Sequence, residues 1–468
     1  MTTEQLKSLK DSLLINRKNG GDVLSESDIH FAYEFSEGYK AFLNSAKTER
    51  ETVDFCILQA AEQGYVEFKP GEKYSAGDKV YYNNRGKALI LAVIGSGDIS
   101  DGVNILASHG DAPCLHLKPR PLYEEEQIAY FKTHYYGGIK KYQWTAIPLS
   151  LHGTVIKGNG EKLTISLGEE DGDPVFTISD LLPHLGKEQM KRTLSEAIKG
   201  EELNAIVGLS PLKADDEEKV PERVKLNIIK LLNEKYGITE NELLSAELMF
   251  VPAFQASDVG FDRSAIGAYG QDDRVCVYTS LKATLDITAP KKTTLCVVAD
   301  KEEVGSGGNT GLTSAYLEYF IADLAESFGV SGRSVLQASR CISADVTAAH
   351  DAVFPDVTER RNTAYLNYGV SVSKYTGAHG KSGTSDASAE FTAEVCGILE
   401  RNNILWQHAE LGKIDAGGGG TVAVYLAELG LDVLDVGVPV ISMHSPFEVT
   451  SKIDVWQTYM AYKAFLEN

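Results

Sequence analysis

The stretch TLCVVADKEEVGS (294–306) decides the fold. Six apolar or small residues without alternation read as a strand buried on both faces, and a polar turn of four charged side chains follows at once. Three further runs share this character: ALILAVI (88–94), VNILA (103–107) and VLDVGVPVISM (433–443). Longer segments of helical period separate them, notably Ser314 to Phe328 and Ser385 to Leu399, and Ser25 to Gly64 reads as helix with Ser25 and Ser27 as caps. Strands alternating with helices predict an α/β fold: a mixed, largely parallel sheet flanked by helices.

Between about Lys118 and Leu248 the pattern changes. Alternating segments such as HGTVIKG and KLTISLG precede the acidic stretch PLKADDEEKVP (211–221) and a helix from about Pro221 to Tyr236. This predicts an inserted β-rich domain at 118–248, with a catalytic domain built from 1–117 and 249–468, and the acidic run as a solvated loop. Two domains suit 468 residues.

A net charge of −21 repels nucleic-acid phosphates and anionic lipid, so neither is an expected partner. No apolar run approaches the roughly 18 residues of a membrane span, and the N-terminal residues lack the apolar region of an export signal. Six cysteines scattered singly read as reduced, buried thiols of a cytoplasmic protein.

The chemistry gathers where strands end. His109 and Asp111 follow VNILA; Glu302 and Glu303 follow TLCVVA; Asp345 follows Cys341 to Ala344; His444 follows Met443; and Asp272 stands in the polar cluster GQDDR (270–274). In open α/β sheets, ligands collect beyond the carboxyl ends of strands, so residues far apart in sequence are expected to converge. Imidazole and carboxylate donors without thiolate suit zinc, and also manganese or cobalt. Two histidines and three acids supply terminal donors on two ions plus one shared carboxylate. Of the adjacent pair Glu302 and Glu303, one can bind metal while the other takes a proton from water. Asp111 can orient His109 through its second ring nitrogen.

The motifs SHGDAP (108–113), YGG (136–138), DKEEVGS (300–306), SADVTAAH (343–350) and ISMHSPFE (441–448) resemble, in order, those of the aspartyl aminopeptidase family, which also includes vacuolar aminopeptidases. The resemblance spans nearly the whole chain. It implies a metal-dependent aminopeptidase with two divalent ions, zinc first: Asp272 bridging, His109 and Asp345 completing one site, Glu303 and His444 the other, and Glu302 as general base. It further implies that the glycine run 417–420, with Gly418 and Gly419, lies beside bound peptide, that the inserted domain dimerises, and that dimers assemble into a tetrahedral dodecamer. His184 in LLPHL (181–185) matches a histidine that reaches the neighbouring subunit's active site, and Lys374 lies near the position of a lysine that binds acidic substrates. Departures fall at TAIPL after Trp144 and FPDV (354–357), and the spacing around Lys374 is shifted, which leaves the preferred N-terminal residue open. The competing expectations are a catalytically silent peptide-binding shell of the same fold and a deacylase or carboxypeptidase on a similar sheet.

Overall fold

The computed structural model describes residues 1–213 and 220–468, so most of the acidic run at 211–221 lies outside the described residues. Nine strands form the main sheet in the order Val66–Glu67, Lys79–Asn84, Ala88–Val93, Thr294–Ala299, Asn104–His109, Arg340–Ser343, Asp432–Gly437, Val370–Ser373 and Trp406–His408. The four strands from Thr294–Ala299 to Asp432–Gly437 are mutually parallel, with antiparallel strands on either side. The sheet is therefore mixed, with a parallel centre.

Ala88–Val93, Asn104–His109 and Thr294–Ala299 are buried along their whole length, which explains why their apolar residues run consecutively rather than alternating with polar ones. Alternate side chains go to opposite faces. Leu89, Leu91 and Cys296 join Phe42, Leu281 and Phe465 on one side; Ile90, Leu295 and Val297 join Phe320, Leu324 and Leu426 on the other. Each such aliphatic side chain, fully buried, contributes roughly 1.5–3 kcal/mol.

The helical stretch expected from Ser25 to Gly64 is two helices, Glu26–Ser45 and Glu49–Glu62. Ser25 caps the first through Asp28 N–H, and Thr48 caps the second with Glu51 reaching back to the Thr48 N–H. A further helix, Thr3–Leu13, buries none of its side chains.

A second, antiparallel sheet runs Lys162–Leu167, Leu149–Ile156, Glu247–Pro252, Cys114–Glu125, Ile128–Tyr136, Asn204–Gly208 and Thr177–Ile178. Its core draws in Val224, Ile228 and Leu232 of the helix Arg223–Tyr236. A third sheet of five short strands joins Ser257–Val259, Ala265–Ala268, Glu448–Ser451, Pro439–Ile441 and Thr347–Ala348.

One strand expectation is corrected. The run 433–443 is not a single strand: Asp432–Gly437 belongs to the main sheet and Pro439–Ile441 to the third. The chain changes sheet at Gly437, where a Cβ would lie 1.7 Å from the Asp345 carbonyl oxygen, so only glycine admits this approach.

Candidate metal centre

Because the central strands are parallel, their carboxyl ends share one edge. His109 ends the strand Asn104–His109; the turn Glu302–Val304 follows Thr294–Ala299 after Lys301 in the left-handed region; Asp345 lies just beyond Arg340–Ser343. Asp272 joins from the first turn of Gln271–Leu285, and His444 from the loop between Pro439–Ile441 and Glu448–Ser451.

These side chains converge on one point. His109 Nε2 lies 3.3 Å from Asp272 Oδ1 and 4.0 Å from Asp345 Oδ1. His444 Nε2 lies 3.1 Å from Asp272 Oδ2 and 3.4 Å from Glu303 Oε2. Two donor triads result, His109–Asp272–Asp345 and Asp272–Glu303–His444, and each keeps its ligand atoms within 4.8 Å of one another. Asp272 is common to both. Glu302 belongs to neither triad, yet its Oε2 stands 3.8 Å from His109 Nε2.

Supporting contacts aim these groups. His109 Nδ1 faces the Asp111 carbonyl oxygen at 3.1 Å and its Oδ1 at 3.3 Å. The same carboxylate accepts the backbone N–H groups of Glu302 and Glu303 at 3.1 and 3.2 Å, and the Tyr136 hydroxyl at 2.7 Å. On the other side His444 Nδ1 meets the Gly138 carbonyl oxygen at 2.9 Å. The YGG motif thus brings the antiparallel sheet to the centre. A Cβ at Gly137 would stand 3.3 Å from Glu303 Cβ, and one at Gly138 would stand 3.3 Å from His444 Nδ1, so a side chain at either position would press on a donor residue, and Gly137 also holds a φ of 76° that favours glycine. Glu448 Oε1 accepts the His444 N–H at 2.7 Å, and its Oε2 accepts the Asp272 N–H at 3.1 Å.

The electrostatics ask for a cation. Burial, reinforced by the charge of Asp272, raises Glu303 well above the usual carboxylate range, and burial together with Asp273 does the same to Asp345. Burial pushes Glu302 up to about 7 against the opposing pull of His109, and it pushes Glu448 up to about 8 with Asp272 adding to the shift. Burial opposes charge on His444, but Asp272 and Glu303 outweigh it and raise the imidazole to about 10. Glu303 Oε1 is buried without a hydrogen-bond partner. More carboxylate than two imidazoles can balance, with an unpartnered oxygen aimed inward, fits divalent ions of the zinc type.

Not every expected residue joins the centre. His184 lies in an exposed loop of the same subunit. Lys374 is paired with Asp386 at 2.9 Å, and Lys381 meets the other oxygen of that carboxylate at 2.8 Å. Gly418 and Gly419 form a short antiparallel pair with Gly377 and Ala378, so the glycine run is ordered by backbone pairing. Three contributors went unread in the sequence: Tyr136, Gly138 and Glu448. All stand in motifs quoted above, but they act through a hydroxyl, a carbonyl and backbone N–H groups.

The Aminopeptidase I zinc metalloprotease (M18) family model matches residues 42–466. A probable M18 family aminopeptidase 1 of Clostridium acetobutylicum is 46% identical over 468 residues, covering 98% of this chain and 100% of that protein. The crystal structure of an M18 aminopeptidase from Thermotoga maritima superposes with a TM-score of 0.92 at 45% identity, covering 97% of this chain and 100% of that one. The mApe1 dodecamer of S. cerevisiae shares the fold at a TM-score of 0.74 and 22% identity, covering 93% of this chain and 96% of that one. With a ligand-bearing sheet edge in place and a match over almost its full length, the chain belongs to the M18 family of zinc metalloaminopeptidases.

Proposed function

We propose that this aminopeptidase removes N-terminal residues from peptides with two divalent ions per subunit, zinc first, one held by His109, Asp272 and Asp345 and the other by Asp272, Glu303 and His444. The observation that carries the reading is the pair of triads sharing Asp272, with Glu302 left free beside them. When bound, such ions supply Lewis acidity, which acidifies a water and polarises the scissile carbonyl.

Glu302 is the general base: it takes the proton of the attacking water and returns it to the leaving amine. Its elevated affinity for a proton suits that double duty. Asp111 holds Glu302 by its backbone and His109 by its ring, so one carboxylate orients the base and a ligand together.

The segment 118–248 serves as the dimerisation domain. Leu181, Leu182, Leu185, Met190 and Leu194 are all exposed within one short stretch, an apolar patch that a second copy would cover. His184 stands among them, placed to donate a hydrogen bond to the developing oxyanion in the neighbouring subunit's site. The mApe1 dodecamer supports assembly of such dimers into a dodecamer. Lys374 and Gly418–Gly419 line the substrate side, and because Asp386 neutralises Lys374, an acidic residue would have to displace that pair to be selected. No helix among the described residues is long and apolar enough to cross a membrane, and all six cysteines are free, which supports a cytoplasmic setting.

The test is hydrolysis of aminoacyl chromogenic substrates with and without a chelator, beside N-blocked peptides. Cleavage of free N-termini alone, abolished by the chelator, is the expected result; cleavage of blocked peptides would point to an endopeptidase or carboxypeptidase, and no cleavage at all to a silent shell.

A further inference from the structure

The loop that carries His444 closes on its own hairpin. Pro439–Ile441 and Glu448–Ser451 pair antiparallel, with Val440 opposite Thr450 and Ile441 opposite Val449. Between them Ser442 and His444 occupy the left-handed region at φ of 61° and 62°, a conformation that non-glycine residues keep only when their surroundings hold it. Glu448, the first residue of the returning strand, is 1% exposed. Its backbone is tied down twice, by pairing opposite Ala268 and by Gln271 Nε2, which donates to its carbonyl oxygen at 2.7 Å.

The two carboxylate oxygens divide their work. Oε1 accepts the His444 N–H and Oε2 the Asp272 N–H, so both donors belong to ligands of the same proposed ion, the one shared by Asp272, Glu303 and His444. Of the two donors, His444 serves that ion alone, whereas Asp272 also belongs to the triad with His109 and Asp345. His444 is also the more open imidazole, with 34% of its side chain exposed against 1% for His109. Burial and Asp111 hold His109, whereas His444 depends on its backbone and on Gly138. Among the described residues no lysine or arginine forms an ion pair with Glu448, so burial of this carboxylate is not offset by a fixed positive side chain. A glutamine of the same shape would offer one oxygen acceptor and turn an amide N–H towards the second N–H.

We infer that Glu448 is a positioning residue that holds His444 and Asp272 in binding geometry, and so sets the affinity of the second cation site, which takes both residues, more strongly than that of the first, which takes Asp272 alone. This rests on the two-ion reading proposed above.

The metal-free protein titrated with zinc against a chromogenic chelator tests it. Wild type should take up two ions. Glu448→Gln should weaken one of them by roughly 10- to 100-fold and the other, which shares only Asp272, by much less. In the Glu303→Ala background, where the second site is already damaged, Glu448→Gln should change the affinity for the remaining ion far less than it weakens the second site in the wild-type background. Equal loss at both sites would reveal a general structural role, and no loss at either would show that Glu448 positions nothing; each overturns the inference. Should Glu448→Gln not fold, amide hydrogen exchange on metal-free wild type decides: the N–H groups of Asp272 and His444 should be protected without metal, and exchange at the rate of an open loop would sink the proposal. If wild type binds a single ion, the two-ion reading falls, while the exchange result still judges whether Glu448 holds these two residues.

Discussion

The backbone N–H of Glu302 donates to Asp111 at 3.1 Å, so the residue that orients the His109 ring also sets where the neighbouring carboxylate stands. The proposed base and a proposed ligand share one anchor. Asp111→Asn keeps the size of the side chain but presents an amide N–H to groups that need an acceptor. It should lower activity by about 10- to 100-fold with a near-native circular dichroism spectrum and reduced metal retention on dialysis. Full activity would mean that His109 and Glu302 hold their positions without it.

Glu302→Gln should keep both ions, because Glu302 belongs to neither donor triad, and should lose about a hundred- to ten-thousand-fold in kcat. Metal analysis of the purified variant beside its steady-state rate separates the two functions. Loss of metal together with activity would reassign Glu302 as a ligand.

Removing the ions should destabilise the fold as well as silence it. Burial disfavours charge on Glu303 and Asp345 when no cation offsets it, and a ligand present at a hundred times its Kd stabilises a native state by about 2.7 kcal/mol. Chelation should therefore lower the melting temperature, and added zinc should restore it. A melting curve indifferent to both would show that the centre holds no tightly bound ion.

The trans role of His184 has a sharper test than simple loss of activity. His184→Ala and Glu302→Gln should each be nearly inactive alone, yet co-assembled subunits should regain activity, since one composite site in such a dimer carries both native residues. Absence of complementation in verified mixed dimers would confine His184 to its own subunit.

A buried cluster away from the centre predicts a pH dependence of stability. His152 Nδ1 lies 2.8 Å from Glu51 and its Nε2 3.1 Å from Glu169, while Lys47 Nζ donates to Glu169 at 2.8 Å. Burial alone would lower the His152 pKa, but hydrogen bonds to Glu169 and Glu51 prevail and raise it. A group raised on folding adds stability in full below its unfolded value of about 6.5, and that stability is lost as pH climbs through the folded value. Melting temperatures should fall as pH rises above about 6.5, and His152→Gln should flatten part of that slope. An unchanged slope in the variant would place the titration elsewhere.

Much of this architecture is legible in the chain itself, for a physical reason. Strands buried on both faces leave unbroken apolar runs, and ligands at their carboxyl ends follow directly, so His109, Glu302, Glu303 and Asp345 could be read beside the sheet that presents them. Asp272 was reached through its polar cluster and the resemblance. The third sheet left no comparable trace: strands as short as Thr347–Ala348 and Ser257–Val259 are too brief to show a period. Its absence from the sequence reading is why 433–443 looked like one strand. Gly138 escaped because a backbone carbonyl leaves no mark in side-chain chemistry, and Glu448 because its carboxylate accepts backbone N–H groups that no sequence motif displays. The helix Thr3–Leu13 did carry a signal, Thr2 followed by Gln5 as a capping box, though it packs against nothing that periodicity would reveal. Lys374 shows the opposite limit, since its partner Asp386 is a matter of loop geometry.

The hairpin that presents His444 has a consequence in time. Synthesis delivers His109, Asp272 and Asp345 well before the strands Pro439–Ile441 and Glu448–Ser451 that carry and brace His444. A growing chain can therefore fold its central strands and assemble one triad while the other still lacks a member. On the two-ion reading, hydrolytic competence waits for this hairpin, and an unfinished chain would pose no hazard to the nascent peptides around it.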